Sequence, residues 1–218
     1  MKNGFTLAEV LITLGIIGVV AAITIPSLIT DIRKKQTVAK VQHATSIITQ
    51  GFKASNSEVG APTDDEVKKS SPSQIYKKYV QPYIKSTPCY TYQECGYSEA
   101  LPFKYRNGSI NPFQITASAN LGFRTNDGFI YFYQIMAEKS EEYQNMFVDI
   151  NGPKPPNQLG IDVFVLTNNL DKSDWFMYCA NKTDAEVNQN CSTRGLGGCC
   201  LEKIKRAGWK IDKTYPWK

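Results

Sequence analysis

Histidine is almost missing from this chain: His43 is the single one in 218 residues. A metal site built from several imidazoles is therefore excluded, and any Ser-His-Asp or Cys-His arrangement would have to pass through that one position. No GxSxG, HExxH or phosphate-cradling glycine loop occurs, and no two cysteines stand in a CxxC pair, so the common hydrolase, metalloprotease, nucleotide and zinc templates find no footing. A block of like charge is missing too. The 25 Lys+Arg and 20 Asp+Glu leave a net charge of +5 that is scattered along the chain, which reads as a mixed solvated surface. Lys203, Lys205, Arg206 and Lys210 form the one basic cluster worth weighing for DNA capture, and such a cluster on a short helix is ordinarily its wet face. Nucleic acid is not expected as a partner, and the chain is not expected to be an enzyme.

What is present is unevenly placed. With 42% hydrophobic and 21% charged residues, the composition is that of a folded protein with room for one membrane segment at most. From Phe5 to Leu28 the chain is apolar but for threonines, glycines, Glu9, Pro26 and Ser27. As a helix this stretch would run about 36 Å, enough for a hydrocarbon core of about 30 Å. A cleaved secretory signal also begins with a basic residue, here Lys2, before an apolar run. Against it stand the very short leader Met1-Lys2-Asn3-Gly4, the length of the run, and Glu9 inside it. A carboxylate at membrane depth costs a few kcal/mol and is usually paired. A cut after Gly4 would leave an α-amino cation on Phe5, one turn from Glu9 of the same chain or of a neighbouring copy.

The segment GFTLAEVLITLGIIGVVAAITIP resembles the type III signal of type IV pilins and of the pseudopilins of type II secretion. The resemblance implies that a prepilin peptidase cuts between Gly4 and Phe5 and methylates the new amino terminus of Phe5. It also implies that Glu9 is the glutamate used in filament assembly and that Pro26 bends the helix, as a proline there does on steric grounds alone. The implied partners are other copies and related pilins or pseudopilins, the prepilin peptidase, the inner-membrane assembly platform, and membrane lipid before assembly. The implied location is a single pass of the inner membrane with the head outside the cytoplasm, then a pilus or pseudopilus filament. Arg33, Lys34, Lys35 and Lys40 pull the other way, since positive charge favours the cytoplasmic side. The six cysteines, which suit an oxidising compartment, and the cleavage motif outweigh them.

Beyond Pro26 the spacing of Val38, Val41, Thr45, Ile48 and Phe52 continues a helix, now amphipathic, to about Lys53. Gly60 to Pro72 reads as a polar connector in which Asp64-Asp65-Glu66 caps a helix N-terminus. Ile75 to Ile84 reads as a short helix interrupted at Pro82, followed by an aromatic-rich loop from Cys89 to Cys95. From about Phe113 the period shifts towards two, and Gly128–Ile135, Asn145–Ile150 and Ile161–Leu166 read as strands of a small antiparallel sheet.

The loop between the last two strands carries Asp149, Asn151, Asn157 and Asp162, oxygen ligands of the kind Ca²⁺ takes. Similar loops occur in pseudopilin-like heads, where the major pseudopilin holds calcium. The spacing is not that of an EF-hand, and Asx turns capping their own loop are the favoured reading. Ca²⁺ is the one cofactor these residues bring into question. Among the cysteines, Cys89 and Cys95 are placed to close a small loop. The adjacent Cys199 and Cys200 point apart when extended, so each is expected to bond one of Cys179 and Cys191, with the pairing open. Trp209, Tyr215 and Trp217 are expected to close the head, not to bind a partner.

The expected fold is α+β, a type IV pilin-like lollipop: a long N-terminal helix packed on a small antiparallel β-sheet with a disulfide-bearing C-terminal region. The expected organisation is a leader over residues 1–4, an apolar helix over 5–28, its amphipathic continuation over 29–57, and an extracytoplasmic globular head over 58–218. The expected function is that of a pilin or pseudopilin subunit. The alternative is a membrane-anchored or secreted binding domain or enzyme whose N-terminus serves only as anchor or export signal.

Overall fold

A computed structural model of the chain describes residues 4, 6–63, 66, 69–115, 120–138, 141–169 and 176–217. Leu7–Val59 is one helix of 53 residues, α1. The chain divides within it into two compact units, residues 1–36 and 37–218.

In the second unit, α1 buries Val38, Val41, Ala44, Thr45, Ile48, Gly51, Phe52 and Ser55, a stripe at steps of one or three residues that puts a single face on the core. The helix outlasts the expected end at Lys53 because Ser55, small and fully buried, carries the stripe one turn beyond the last large apolar residue. It stops where Gly60 takes φ +80° and donates its N–H to the Asn56 carbonyl, a glycine stop of the usual kind.

At Glu66 the connector forms the expected cap: Thr63 Oγ1 accepts the Glu66 N–H at 3.2 Å and the Thr63 backbone hydrogen-bonds the Glu66 carboxylate, which also accepts from Lys78 Nζ and from the Tyr79 hydroxyl. Asp64 and Asp65 lie outside the described residues. Helix α2, Pro72–Ile75, starts with a capping box between Ser71 and Gln74 and widens into a π-helical turn over Tyr76–Val80. The chain then turns through residues 81–83, so the helix ends before Pro82, as the missing N–H of proline favours.

Among the described residues six strands follow: β1 (Ser86–Cys89), β2 (Asn120–Thr125), β3 (Ile130–Glu138), β4 (Glu141–Asp149), β5 (Val163–Asn169) and β6 (Phe176–Met177). They form one antiparallel meander in sequence order. Two helices close the chain, α3 (Asp184–Asn190) and α4 (Cys200–Arg206). The strand expectations at 128–135, 145–150 and 161–166 fall within or beside β3, β4 and β5. β1 drew no strand expectation; it carries Pro88 and sits on the sheet edge, where proline is tolerated.

Alternation along the strands gives the sheet two apolar faces. Leu121, Phe123, Tyr131, Tyr133, Met146, Val148, Phe164 and Leu166 join the core that includes α1. Ile130, Phe132, Phe147, Val163 and Val165 face the other way, against Tyr97, Phe103, Phe113 and the Cys89–Cys95 bridge. Gly122 on β2 makes room for that bridge: a Cβ there would lie 2.7 Å from each of the two sulfurs. The architecture is α+β, as expected.

Candidate functional site

The N-terminal unit begins with a local device. Thr6 donates its N–H and its hydroxyl to Glu9 Oε2, each at 2.8 Å, and Glu9 returns its N–H to Thr6 Oγ1 at 3.3 Å. This is a capping box at the start of α1, with the threonine at the cap and the glutamate three residues on. Its signal in the sequence is the Thr-x-x-Glu spacing of Thr6-Leu7-Ala8-Glu9. Gly4 is exposed, with nothing within 4 Å of where a Cβ would stand. Phe5, with its expected cleavage and methylation, lies outside the described residues, as do Met1 to Asn3.

Above the box, α1 is exposed and apolar. Leu7, Leu11, Leu14, Ile17, Val19 and Ile23 are each more than half exposed, where burying one such side chain is worth roughly 1.5–3 kcal/mol. A continuous run of this kind needs an apolar environment. Its polar side chains are already answered within the helix: Thr13 bonds the Glu9 and Val10 carbonyls, Thr24 the Val20 carbonyl, Ser27 the Thr24 carbonyl and Thr30 the Pro26 carbonyl. Hydroxyls satisfied in this way are compatible with hydrocarbon. α1 is the one helix among the described residues long and apolar enough to cross a membrane. It continues through Pro26, whose missing N–H leaves the Ala22 carbonyl without its usual donor.

The four candidate calcium ligands come together in the loop between β4 and β5. Asp149 is fully buried; its Oδ1 accepts the Asn151 N–H at 3.0 Å in an Asx turn, and its Oδ2 accepts the Tyr97 hydroxyl at 2.6 Å. Asp162 Oδ1 accepts the Gln158 N–H at 2.7 Å, and its Oδ2 accepts the Asn157 N–H and Asn151 Nδ2 at 3.0 and 3.2 Å. Burial pushes the Asp149 carboxyl up to about 8, against hydrogen bonds from Tyr97 that hold it down, and the neighbouring Asp162 raises it further. Burial likewise pushes Asp162 up to about 6, opposed by the N–H groups of Gln158 and Asn157.

These bonds cap the loop without a metal, and no trio of His, Cys, Asp or Glu gathers among the described residues. Yet Asn151 Oδ1 and Asn157 Oδ1 are buried without a hydrogen-bond partner. Two carboxylates with two orphaned amide oxygens fit the donor chemistry of a hard cation. Tyr97, which joins this cluster from 52 residues away, carried no signal in the sequence.

The cysteines form three disulfides, Cys89–Cys95, Cys179–Cys199 and Cys191–Cys200. The basic cluster is partly structural. Arg206 donates to Glu202, to Asp184 and to the carbonyls of Cys179, Ala180 and Lys182, and Lys203 donates to Asn188, so both tie α4 to the segment before it. Tyr215 is buried with its hydroxyl on the Gly160 carbonyl at 2.6 Å, and Trp209 and Trp217 pack on the core. His43 stands 3.5 Å from the exposed Asp127 and edge-on to Phe129.

No curated protein and no solved structure matches this chain. The family model of the prokaryotic N-terminal methylation motif matches residues 1–25, the stretch that holds Gly4, Phe5, the capping box and most of the exposed apolar helix. The chain therefore carries, over those residues, the N-terminal methylation motif characteristic of type IV pilins and pseudopilins.

Proposed function

We propose that this protein is a structural, non-catalytic subunit of a type IV pilus or a type II secretion pseudopilus. The observation that carries this reading is the methylation motif over residues 1–25, laid on a helix whose apolar side chains are exposed. The prepilin peptidase cuts between Gly4 and Phe5 and methylates Phe5. Before assembly the helix spans the inner membrane, with residues 58–218 outside the cytoplasm. On assembly its apolar surface exchanges lipid for the helices of other subunits, where close packing replaces the bilayer. Three disulfides support the outward orientation, because such bonds persist in oxidising compartments. Calcium, where present, is held by Asp149, Asp162, Asn151 and Asn157 and supplies the positive charge that the two buried carboxylates lack.

The test is intact-mass and N-terminal analysis of the protein recovered from its own membranes. A chain that starts at N-methylated Phe5 supports the filament reading. A start at Met1, or one beyond Ala21, overturns it in favour of an anchored or secreted domain.

A further inference from the structure

Side chains from Tyr105, Asn111, Phe147, Tyr178 and Asn190 line a half-open cavity of about 260 Å³ on the sheet face turned away from α1. That is just under the range of roughly 300–1,000 Å³ usual for small-molecule sites. Four aromatic rings line it: Tyr105, Phe113, Phe147 and Tyr178. Between them stand side-chain amides, including Asn111, Gln134 and Asn190, and among the described residues no charged side chain lines the cavity.

Two of these amides are held in a known orientation. Asn111 Oδ1 accepts the Phe113 N–H at 3.0 Å, and Asn190 Oδ1 accepts the Cys199 N–H at 2.9 Å. Once the oxygen of an Asn amide is engaged, its Nδ2 is assigned as a donor. Asn190 is further braced from both sides, since the adjacent Cys191 is bridged to Cys200 and Cys199 to Cys179. Tyr178, 40% exposed, stands at the rim. Gly198 lets it lie close: a Cβ there would come within 3.0 Å of the Tyr178 ring.

Ionic ligands find no countercharge among the described lining residues, and a wholly apolar ligand would leave the amides unanswered, at a cost of about 1–3 kcal/mol for each group left unpaired. A sugar ring satisfies both demands. Its C–H face packs on aromatic rings, and its hydroxyls, each donor and acceptor, match fixed amide N–H groups. The geometry points to a binding site for one neutral sugar ring, formed by Asn111, Asn190, Gln134 and the rings of Tyr105, Phe147 and Tyr178. The site lies wholly within the second compact unit and does not depend on the N-terminal motif.

The experiment is saturation-transfer NMR and calorimetry on the full chain in detergent micelles. The probes are neutral hexoses and N-acetylhexosamines, free and at the non-reducing end of oligosaccharides, with glucuronic acid and cyclohexanol as comparators. The expected result is saturable binding of at least one neutral sugar, at least ten-fold weaker binding of both comparators, and at least ten-fold loss in Tyr178→Ala and Gln134→Leu. Tyr178 is partly exposed, so its variant tests the site without opening the core; melting temperature checks the fold of both. Tighter binding of the oligosaccharide identifies a glycan end as the source, equal binding a free sugar, and either supports the site. Absence of binding across the panel overturns it, as does cyclohexanol binding as tightly as the sugars, or full binding by both folded variants.

Discussion

The hydroxyl of Tyr131, on the third strand, donates to the carbonyl of Ala44, on the long helix, at 3.0 Å in a fully buried contact. It links residues 87 apart in sequence and pins one face of the sheet to the helix by a directional bond inside an otherwise apolar layer. Burial pushes the Tyr131 hydroxyl well above its ordinary range, and the Asp127 carboxylate adds to this, so it remains a donor.

Tyr131→Phe removes the bond and leaves the ring packing intact. The Ala44 carbonyl keeps its helical position, so the loss is that of one buried hydrogen bond, about 1 kcal/mol. Chemical denaturation should show a lower midpoint at unchanged slope; a changed slope would mean that the denatured or native ensemble had moved instead.

Gly51 is a helix-interior glycine that sequence propensity would replace with alanine for a gain of about 1 kcal/mol. Here the sign reverses. A Cβ at Gly51 would fall 2.4 Å from Cγ1 and 2.5 Å from Cδ1 of Ile84, so Gly51→Ala should destabilise by about 1–3 kcal/mol through overpacking. Gly51→Ala combined with Ile84→Val should recover part of the loss, as thermal melts of the two variants would show.

Asp149 and Asp162 titrate at about 8 and about 6 in the fold, against about 3.9 in an unfolded chain. The folded state thus holds protons that the unfolded state releases, and stability falls as pH rises. The contribution is fully present below about pH 4, weakens as Asp162 ionises near 6, and is lost as Asp149 ionises near 8. A bound divalent cation acts in the opposite direction, since it favours the ionised pair. Added Ca²⁺ should raise the melting temperature more at pH 8 than at pH 5, and Asn151→Ala with Asn157→Ala should abolish that difference. Equal melting temperatures with and without Ca²⁺ at both pH values would leave the loop as capped by its own bonds alone.

Glu9 caps the long helix through Thr6, and in the proposed filament it would also pair with the Phe5 amine. Glutamine preserves a capping box but cannot pair with the Phe5 amine as an ion. Glu9→Ala and Glu9→Gln should both yield folded, membrane-inserted protein, with at least ten-fold less of it in sheared filaments than for the parent chain. Parental incorporation of Glu9→Gln would reduce Glu9 to a helix cap.

The N-terminal motif and the course of the long helix were legible because both are local. Gly4, Phe5, Glu9 and Pro26 stand at fixed spacings, and the stripe from Val38 to Phe52 repeats at helical intervals that need no knowledge of what lies across from them. The three strands richest in aromatic and β-branched residues were legible for the same reason. Local propensity failed where a neighbour overrode it. Pro88 became part of a strand because that strand is an edge. Glu66 kept its place in the cap with Thr63, but its contacts with Lys78 and Tyr79, 12 and 13 residues away, had no local signal. The methylation motif over residues 1–25 and the run of apolar residues are thus properties of the sequence by itself, since each is a linear segment. Three things were decided only by the tertiary structure: the burial of Asp149 against Tyr97, the choice of Cys179 over Cys191 as partner of Cys199, and the cavity walled by Tyr105, Phe147 and Tyr178. Each depends on which strands and loops the chain brings together across tens of residues, a relation set by packing and not by spacing along the chain.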